Sequence, residues 1–283
     1  MVAGAEEREK SNPRKRYRIV NRSASSFIKR VPRFGGNETI CNDESSPCPA
    51  LVILYARLDL HRYNLLQEKN LELSSVKKYN QSTHSAACSY HITLDTIGLT
   101  ALQPFEASVY EISSGKLALS CRIARPLGDY ETICGGETTI DVIKRCSSSL
   151  YKNFSPIDTM LDWPPENPFE HSKLLNYYEL QEDNDWIRLY LELAVATTNR
   201  GTIRDLDDLS NLKIIQVAID TTPQDVDLVF NRTYFAIVYI QYKDSCEARV
   251  GKDVDRVAIV RRAFDEQRGC FSLVGKTLRL PKE

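Results

Sequence analysis

The spacing of apolar positions changes partway along the chain, and that change predicts its architecture. From Pro49 onward Leu51, Leu54, Tyr55, Leu58, Leu65 and Leu66 recur at helical intervals and form one stripe, with Arg57, Asn64, Gln67 and Glu68 elsewhere. Arg62 interrupts the stripe, so its stem is expected along apolar surface with its charge at the edge. The period then drops to two. Cys88, Tyr90, Ile92 and Leu94 alternate with Ser89, His91, Thr93 and Asp95. Phe105, Ala107 and Val109 alternate with Glu106, Ser108 and Tyr110, and Leu117, Leu119, Cys121 and Ile123 with Ala118, Ser120, Arg122 and Ala124. One apolar and one polar face per strand predicts an antiparallel sheet covered on one side, with the helix as its cover. Ser113-Ser114-Gly115-Lys116 predicts a hairpin turn in which Gly115 takes a positive φ. His91 falls on the outward face, as a surface residue rather than a ligand.

The second half is also β-rich. Leu212–Asp220, Thr233–Lys243, Asp255–Phe264 and Cys270–Leu278 read as strands, the last two joined by a turn ending in Gly269. Residues 184–200 fit two templates. As a helix the segment begins near Asp183 or Asn184 and stops at Gly201. As a strand, Ile187, Leu189, Leu191, Leu193 and Val195 alternate without a break, which favours strand. Between the halves, Gly135-Gly136, a serine run, Pro164-Pro165 and Pro168 suggest a connector and a domain boundary. The expected fold is α+β, with a helix packed on an antiparallel sheet followed by a second antiparallel module that echoes the first. The corresponding organisation is a basic leader at 1–35, a first module at 36–126, a connector at 127–180 and a second module at 181–283.

Composition narrows function mainly by exclusion. At 283 residues and 42% hydrophobic content the chain can bury a sizeable core. A net charge of -1 gives no reason to expect a dedicated nucleic-acid binder. The exception is the leader, where Arg14, Lys15, Arg16, Arg18 and Arg22 precede Lys29, Arg30 and Arg33; a solvated, disordered tail is the favoured reading there. The start of the chain has no apolar signal segment and no run spans a bilayer, so the expected location is cytoplasmic, nuclear or both, not secreted. In that setting the eight cysteines, without C-x-x-C pairs, read as inert thiols, with Cys88 and Cys121 in phase with strand cores. Five Asn-x-Ser/Thr matches are coincidental if the chain is not secreted. G-x-S-x-G, phosphate-loop, dinucleotide and H-E-x-x-H patterns are absent from the sequence, and the acidic runs Leu180–Asp185 and Arg204–Leu209 lack a calcium-loop ladder. These features favour a non-enzyme without cofactor or metal.

The helix Tyr55–Asn64, "YARLDLHRYN", followed by "NLEL", resembles the plant-cystatin helix signature. With "SYHITL", "LSCRIARP", "YELQEDNDWIRLYLELA" and "RVAIVRRAFDE" in order, the chain resembles an expanded family of uncharacterised mustard-family plant proteins with cystatin-like sequence. That resemblance implies a family without an assigned biochemistry, and no catalytic residue comes with it. A cystatin inhibits papain-like proteases through an N-terminal glycine, a Gln-x-Val-x-Gly loop and a Pro-Trp hairpin. Here Gly35-Gly36 precede the helix at a suitable distance. The first loop, expected at Asn80–Ala87, holds Gln81, Ser82, Thr83, His84 and Ser85, and the second holds Ser113 and Ser114 where Pro-Trp would stand. A wedge of hydroxyls and imidazole entering an apolar cleft costs about 1–3 kcal/mol for each polar group left unpaired. The expected role is non-catalytic binding of a protein partner or ligand on a cystatin-like scaffold; the alternative is a cysteine-protease inhibitor with a divergent loop.

Overall fold

The computed structural model describes residues 37–41, 45–84, 87–98, 101–127, 161–171, 173–175, 185–221, 235–251, 254–265 and 270–280. The leader, Gly35-Gly36, Gly135-Gly136, Ser85 and Gly269 lie outside these residues. The first half runs β1 (Asn37–Ile40), α1 (Ala50–Gln67), β2 (Glu72–His84), β3 (Ala87–Ile97), β4 (Leu102–Glu111) and β5 (Leu117–Pro126). After a single turn, α2 (Pro168–His171), come β6 (Lys173–Leu175), α3 (Asp185–Thr198), β7 (Leu212–Thr221) and β8 (Phe235–Asp244). A short α4 (Glu247–Val250), β9 (Asp255–Asp265) and β10 (Cys270–Arg279) complete the chain.

Pro49 stands immediately before the first helical residue of α1, where its missing N–H costs no hydrogen bond. The helix ends at Glu68, which adopts a left-handed φ of 49°. Asn64 secures the exit: its side chain donates to Leu71 O at 2.8 Å and accepts from Leu71 N at 3.1 Å. Leu54, Tyr55 and Leu58 are fully buried, as the stripe predicted. Arg62 departs from expectation, because its charge is not at the edge: the residue is 6% exposed and its guanidinium lies 3.7 Å from the Asp59 carboxylate.

Two sequence expectations are corrected. The halves do not form separate sheets but one ten-stranded sheet, ordered β1-β2-β3-β4-β5-β10-β9-β8-β7-β6. The seam is the antiparallel pair β5–β10, which sets Leu117 opposite Gly275, Leu119 opposite Leu273 and Cys121 opposite Phe271. Residues 34–283 cluster as a single unit. Part of the expected connector packs instead of linking. Leu161 and Phe169 are buried with Tyr239 and Val274, and Trp163 meets Tyr239 edge-on at 6.3 Å.

The second correction is α3, a helix rather than the favoured strand. Eleven of its 14 residues are buried, from Trp186 to Thr197 with Arg188 excepted. It lies against α1 on one side and β5, β9 and β10 on another. Apolar side chains therefore cover most of its circumference, the Arg188–Glu192 pair apart, so Ile187, Leu189 and Leu191 alternate by coincidence with Trp186, Tyr190 and Ala194 between or beside them. Thr197 and Thr198 hydroxyls and the Asn199 amide donate to carbonyls of the last turns, closing the helix before Gly201.

Candidate functional site

Both loops singled out from the sequence lie at one end of the sheet. Ser89 pairs with Tyr110 in the β3–β4 register, so the β2–β3 turn and the β4–β5 turn are neighbours. The first is narrower than expected. Gln81 pairs with Tyr90, Ser82 with Ser89, Thr83 with Cys88 and His84 with Ala87, so four of the five proposed loop residues belong to the β2 ladder. Backbone pairing sets this extension, and it asks nothing of side-chain polarity. Gln81 is exposed, with Nε2 3.4 Å from Cys88 Sγ, while Ser82 is buried with its hydroxyl 3.1 Å from that of Ser89. In the second turn Ser114 is exposed and Ser113 half-buried, and Gly115 takes a φ of 74°, as expected.

A buried network fixes the base of this second turn. Glu111, the last residue of β4, has a fully enclosed side chain. Its Oε1 accepts from Tyr55 OH at 2.8 Å and from Arg200 Nη2 at 2.8 Å. The Tyr90 ring meets Tyr55 edge-on at 5.0 Å. Burial and then the Glu111 charge push both phenols well above their ordinary range, so they remain protonated. Burial works to lower Arg200, but the Glu111 hydrogen bond and the electrostatic pull of Tyr55, Glu111 and Tyr90 together hold its guanidinium above the usual value. One carboxylate thus ties α1, β4 and the turn after α3 together behind Ser113 and Ser114. Isolated buried charge is costly, and this pairing offsets the cost.

Deeper in the layer lie two further ionisable groups. Asp59 is completely buried and accepts from Ser108 N at 2.6 Å through Oδ2. Burial raises its carboxyl to about 7, against the opposing pull of Arg62 and the Ser108 N–H. His61 sits where α1 meets α3 and β10, 6.5 Å from Trp186, 5.9 Å from Tyr190 and 6.2 Å from Phe271 between ring centres. Burial, reinforced by Arg262, lowers its pKa to about 3. Arg262 in turn lies 5.2 Å over the Trp186 ring. These groups knit helices to sheet; of Asp59 and His61, only His61 reaches an open groove, along the flank of α1.

The remaining candidates occupy structural positions. His91 faces away from α1 as predicted, but it is half-buried, and burial with the nearby Arg125 lowers its pKa to about 4. Cys121 is buried and Cys88 only partly so. In the acidic run Arg204–Leu209, Asp208 caps backbone, accepting from Arg204 N at 2.7 Å. Among the described residues, no group of three or more His, Cys, Asp or Glu is placed to hold a metal ion, and no helix is long and apolar enough to cross a membrane. The Tyr55–Glu111–Arg200 network escaped sequence reasoning because its partners are 56 and 145 positions apart. Nothing local marks them.

Comparison with known proteins gives concordant matches. Residues 160–273 match a protein-family profile described as Protein MS5. UPF0725 protein EMB2204 of Arabidopsis thaliana is 38% identical over 235 residues, covering 81% of this chain and 67% of the relative. UPF0725 protein At3g25080 of the same plant is 45% identical over 178 residues, covering 62% of this chain and 91% of the relative. The crystal structure of MS5 from Brassica napus superimposes with a TM-score of 0.59 at 26% identity, covering 83% of this chain and all of that one.

Proposed function

Because this chain belongs to the UPF0725 family of plant proteins, whose names reported above state no reaction, we propose that it is a non-catalytic binding protein. A protein partner docks at the end of the sheet that carries the β2–β3 and β4–β5 turns. The observation that carries this reading is the base of the β4–β5 turn, where Glu111 Oε1 accepts from Tyr55 and Arg200 behind the exposed Ser114. Binding surfaces gain affinity when their loops are ordered before contact. The order strand, helix, four strands in the first half, with the helix on one face of an antiparallel meander, supports a cystatin-like scaffold. The second half has the same order, and its sheet runs in mirrored sequence from the seam, which supports a divergent repeat. The strongly shifted groups Asp59 and His61 serve internal packing, in keeping with a role outside catalysis.

A photocrosslinking residue at Ser114 tests the reading, with one at exposed Lys213 on β7 as control. Incubated with extract of the native tissue, the Ser114 protein is expected to form a discrete adduct that the Lys213 protein lacks. The same adducts from both positions, or none from Ser114, would reject the proposed surface. The position of the two turns also favours a second reading, a cysteine-protease inhibitor, which a papain assay separates. Weak or no inhibition is expected from the natural chain. Ser113→Pro with Ser114→Trp is expected to strengthen inhibition by a few kcal/mol at most, about the scale of one buried aromatic anchor. Tight inhibition by the unmodified chain would favour the inhibitor instead.

A further inference from the structure

A second surface, on the side of the layer rather than its end, has its own chemistry. The least buried stripe of α1, comprising Ile53, Arg57, His61, Asn64 and Glu68, forms the floor of a groove of about 1240 Å³. One wall is Leu71 with the first residues of β2, from Glu72 to Val76. The other is the start of α3, at Asp185, Trp186 and Leu189, with the Asp205–Asp207 segment. Ile53, Leu65, Leu71, Leu73 and Leu206 line it as partly buried residues that pack on the core and keep apolar surface toward the groove. The Asn64–Leu71 hydrogen bonds hold the floor and the β2 wall together, so the groove is preformed.

Its charge is one-sided. Glu68, Glu72, Asp185, Asp205 and Asp207 are exposed along the lining. The lining cations are Lys69 and Arg57, and Arg57 already pairs with Glu192 at 2.9 Å. A mixed lining, with Ile53, Leu65, Leu71, Leu73 and Leu206 as its apolar part inside an acidic rim, disfavours a nucleic-acid or anionic-lipid occupant by like-charge repulsion and favours a cationic one. The floor from Ile53 to Glu68 extends roughly 22 Å at the helical rise of about 1.5 Å per residue, the length of about four turns. Helix-in-groove recognition places anchors at i, i+3, i+4 and i+7 on such a surface.

We propose that this groove docks a basic amphipathic helix of a second protein, with leucine-type anchors on the apolar lining and lysine or arginine against the rim. The proposal is independent of the surface around Ser114. It is tested with the full chain and a fluorescent peptide of about 18 residues, carrying Leu at helical spacing and Lys elsewhere. The control peptide keeps Leu and replaces Lys by Glu. Fluorescence anisotropy is expected to show binding of the basic peptide only, weakening as salt rises.

Glu72→Lys with Asp207→Lys, one on each wall, is expected to weaken binding by about tenfold or more. Glu166→Lys with Asp220→Lys makes the same charge change away from the groove lining and is expected to alter it by less than about twofold. If the groove pair fails to fold by circular dichroism, Glu72→Gln with Asp207→Asn takes its place, with an expected loss of about threefold. Equal weakening by the groove and control pairs, equal binding of the acidic peptide, or no binding of the basic one overturns the proposal. Self-association in sedimentation that the groove pair abolishes also overturns it, by making a second copy of this chain the occupant. The Ser114 adduct is expected to survive the groove substitutions, so the two surfaces fail separately.

Discussion

Asp59→Asn separates the cost of a buried carboxylate from everything else that depends on pH. Asp59 is fully enclosed between α1 and the sheet, and its carboxyl titrates near 7 instead of 3.8 because burial penalises the charged form. In the unfolded chain the same carboxyl loses its proton near the ordinary value. Between those two pH values the folded protein holds a proton that the unfolded chain has released. The contribution of this group to stability is therefore complete below about pH 4, declines as pH rises, and is lost above about pH 7. A rise of about three units, at about 1.4 kcal/mol per unit, amounts to about 4 kcal/mol.

Asparagine has nearly the same shape and does not titrate. Its amide oxygen can accept the Ser108 N–H that Asp59 Oδ2 accepts at 2.6 Å. Urea unfolding of both proteins from about pH 4 to about pH 8 isolates the group, since other titrations largely cancel in the difference. The stability of Asp59→Asn relative to the natural chain is expected to increase across this range, by an amount on the order of 4 kcal/mol. A difference that stays constant within about 1 kcal/mol would refute the reasoning, and a difference of opposite slope would show that Arg62 outweighs burial.

The seam gives a second prediction: a Cβ on Gly275 would meet Leu117 Cδ2 at 2.7 Å and Ile259 O at 2.9 Å. Gly275→Ala is expected to destabilise the protein by about 1–3 kcal/mol in urea unfolding, and a neutral result would contradict the close β5–β10 approach. His61 titrates near 3, below its ordinary 6.5, so its stabilising contribution is present above about pH 6.5 and fades as pH falls. Its imidazole resonances are expected to stay constant from about pH 5 to about pH 8 by NMR, and a titration midpoint near 6.5 would show that the ring is solvated.

Much of the fold was legible because most elements have one covered face. In α1, Leu54, Tyr55 and Leu58 all enter the core, and in β3–β5 the alternation of Ile92, Phe105, Val109 and Leu119 matches the helix-facing side. Strands β9 and β10 were readable as continuous apolar runs instead, with Ala258, Val260 and Leu273 buried in one cluster and Val257, Ile259 and Val274 in another. Legibility failed where an element is covered on several sides. For α3, contact with both α1 and the sheet widens the apolar face until the helical period competes with the unbroken alternation from Ile187 to Val195. The β5–β10 join failed for a different reason. Leu117, Leu119 and Cys121 have the same pattern at the edge of one sheet as in the middle of a larger one, because edge pairing uses backbone groups that every residue carries.

That second failure also explains the shape of the functional problem. A short sheet with a helix on one face leaves its last strand with unpaired backbone groups and its helix with one flank uncovered. Joining β5 to β10 removes both edges at once, and α3 covers the flank of α1, with His61, Trp186, Tyr190 and Phe271 filling the junction. Among the described residues the outer strands of the sheet are then β1 and β6. The two surfaces proposed for binding, the turn end around Ser114 and the groove along α1, are side-chain surfaces instead. Each is assembled from residues far apart in sequence: the first needs Tyr55, Glu111 and Arg200, the second Ile53, Leu73, Asp185 and Asp207. No local motif can announce such a site. Its chemistry appears only when the sheet order brings the pieces together.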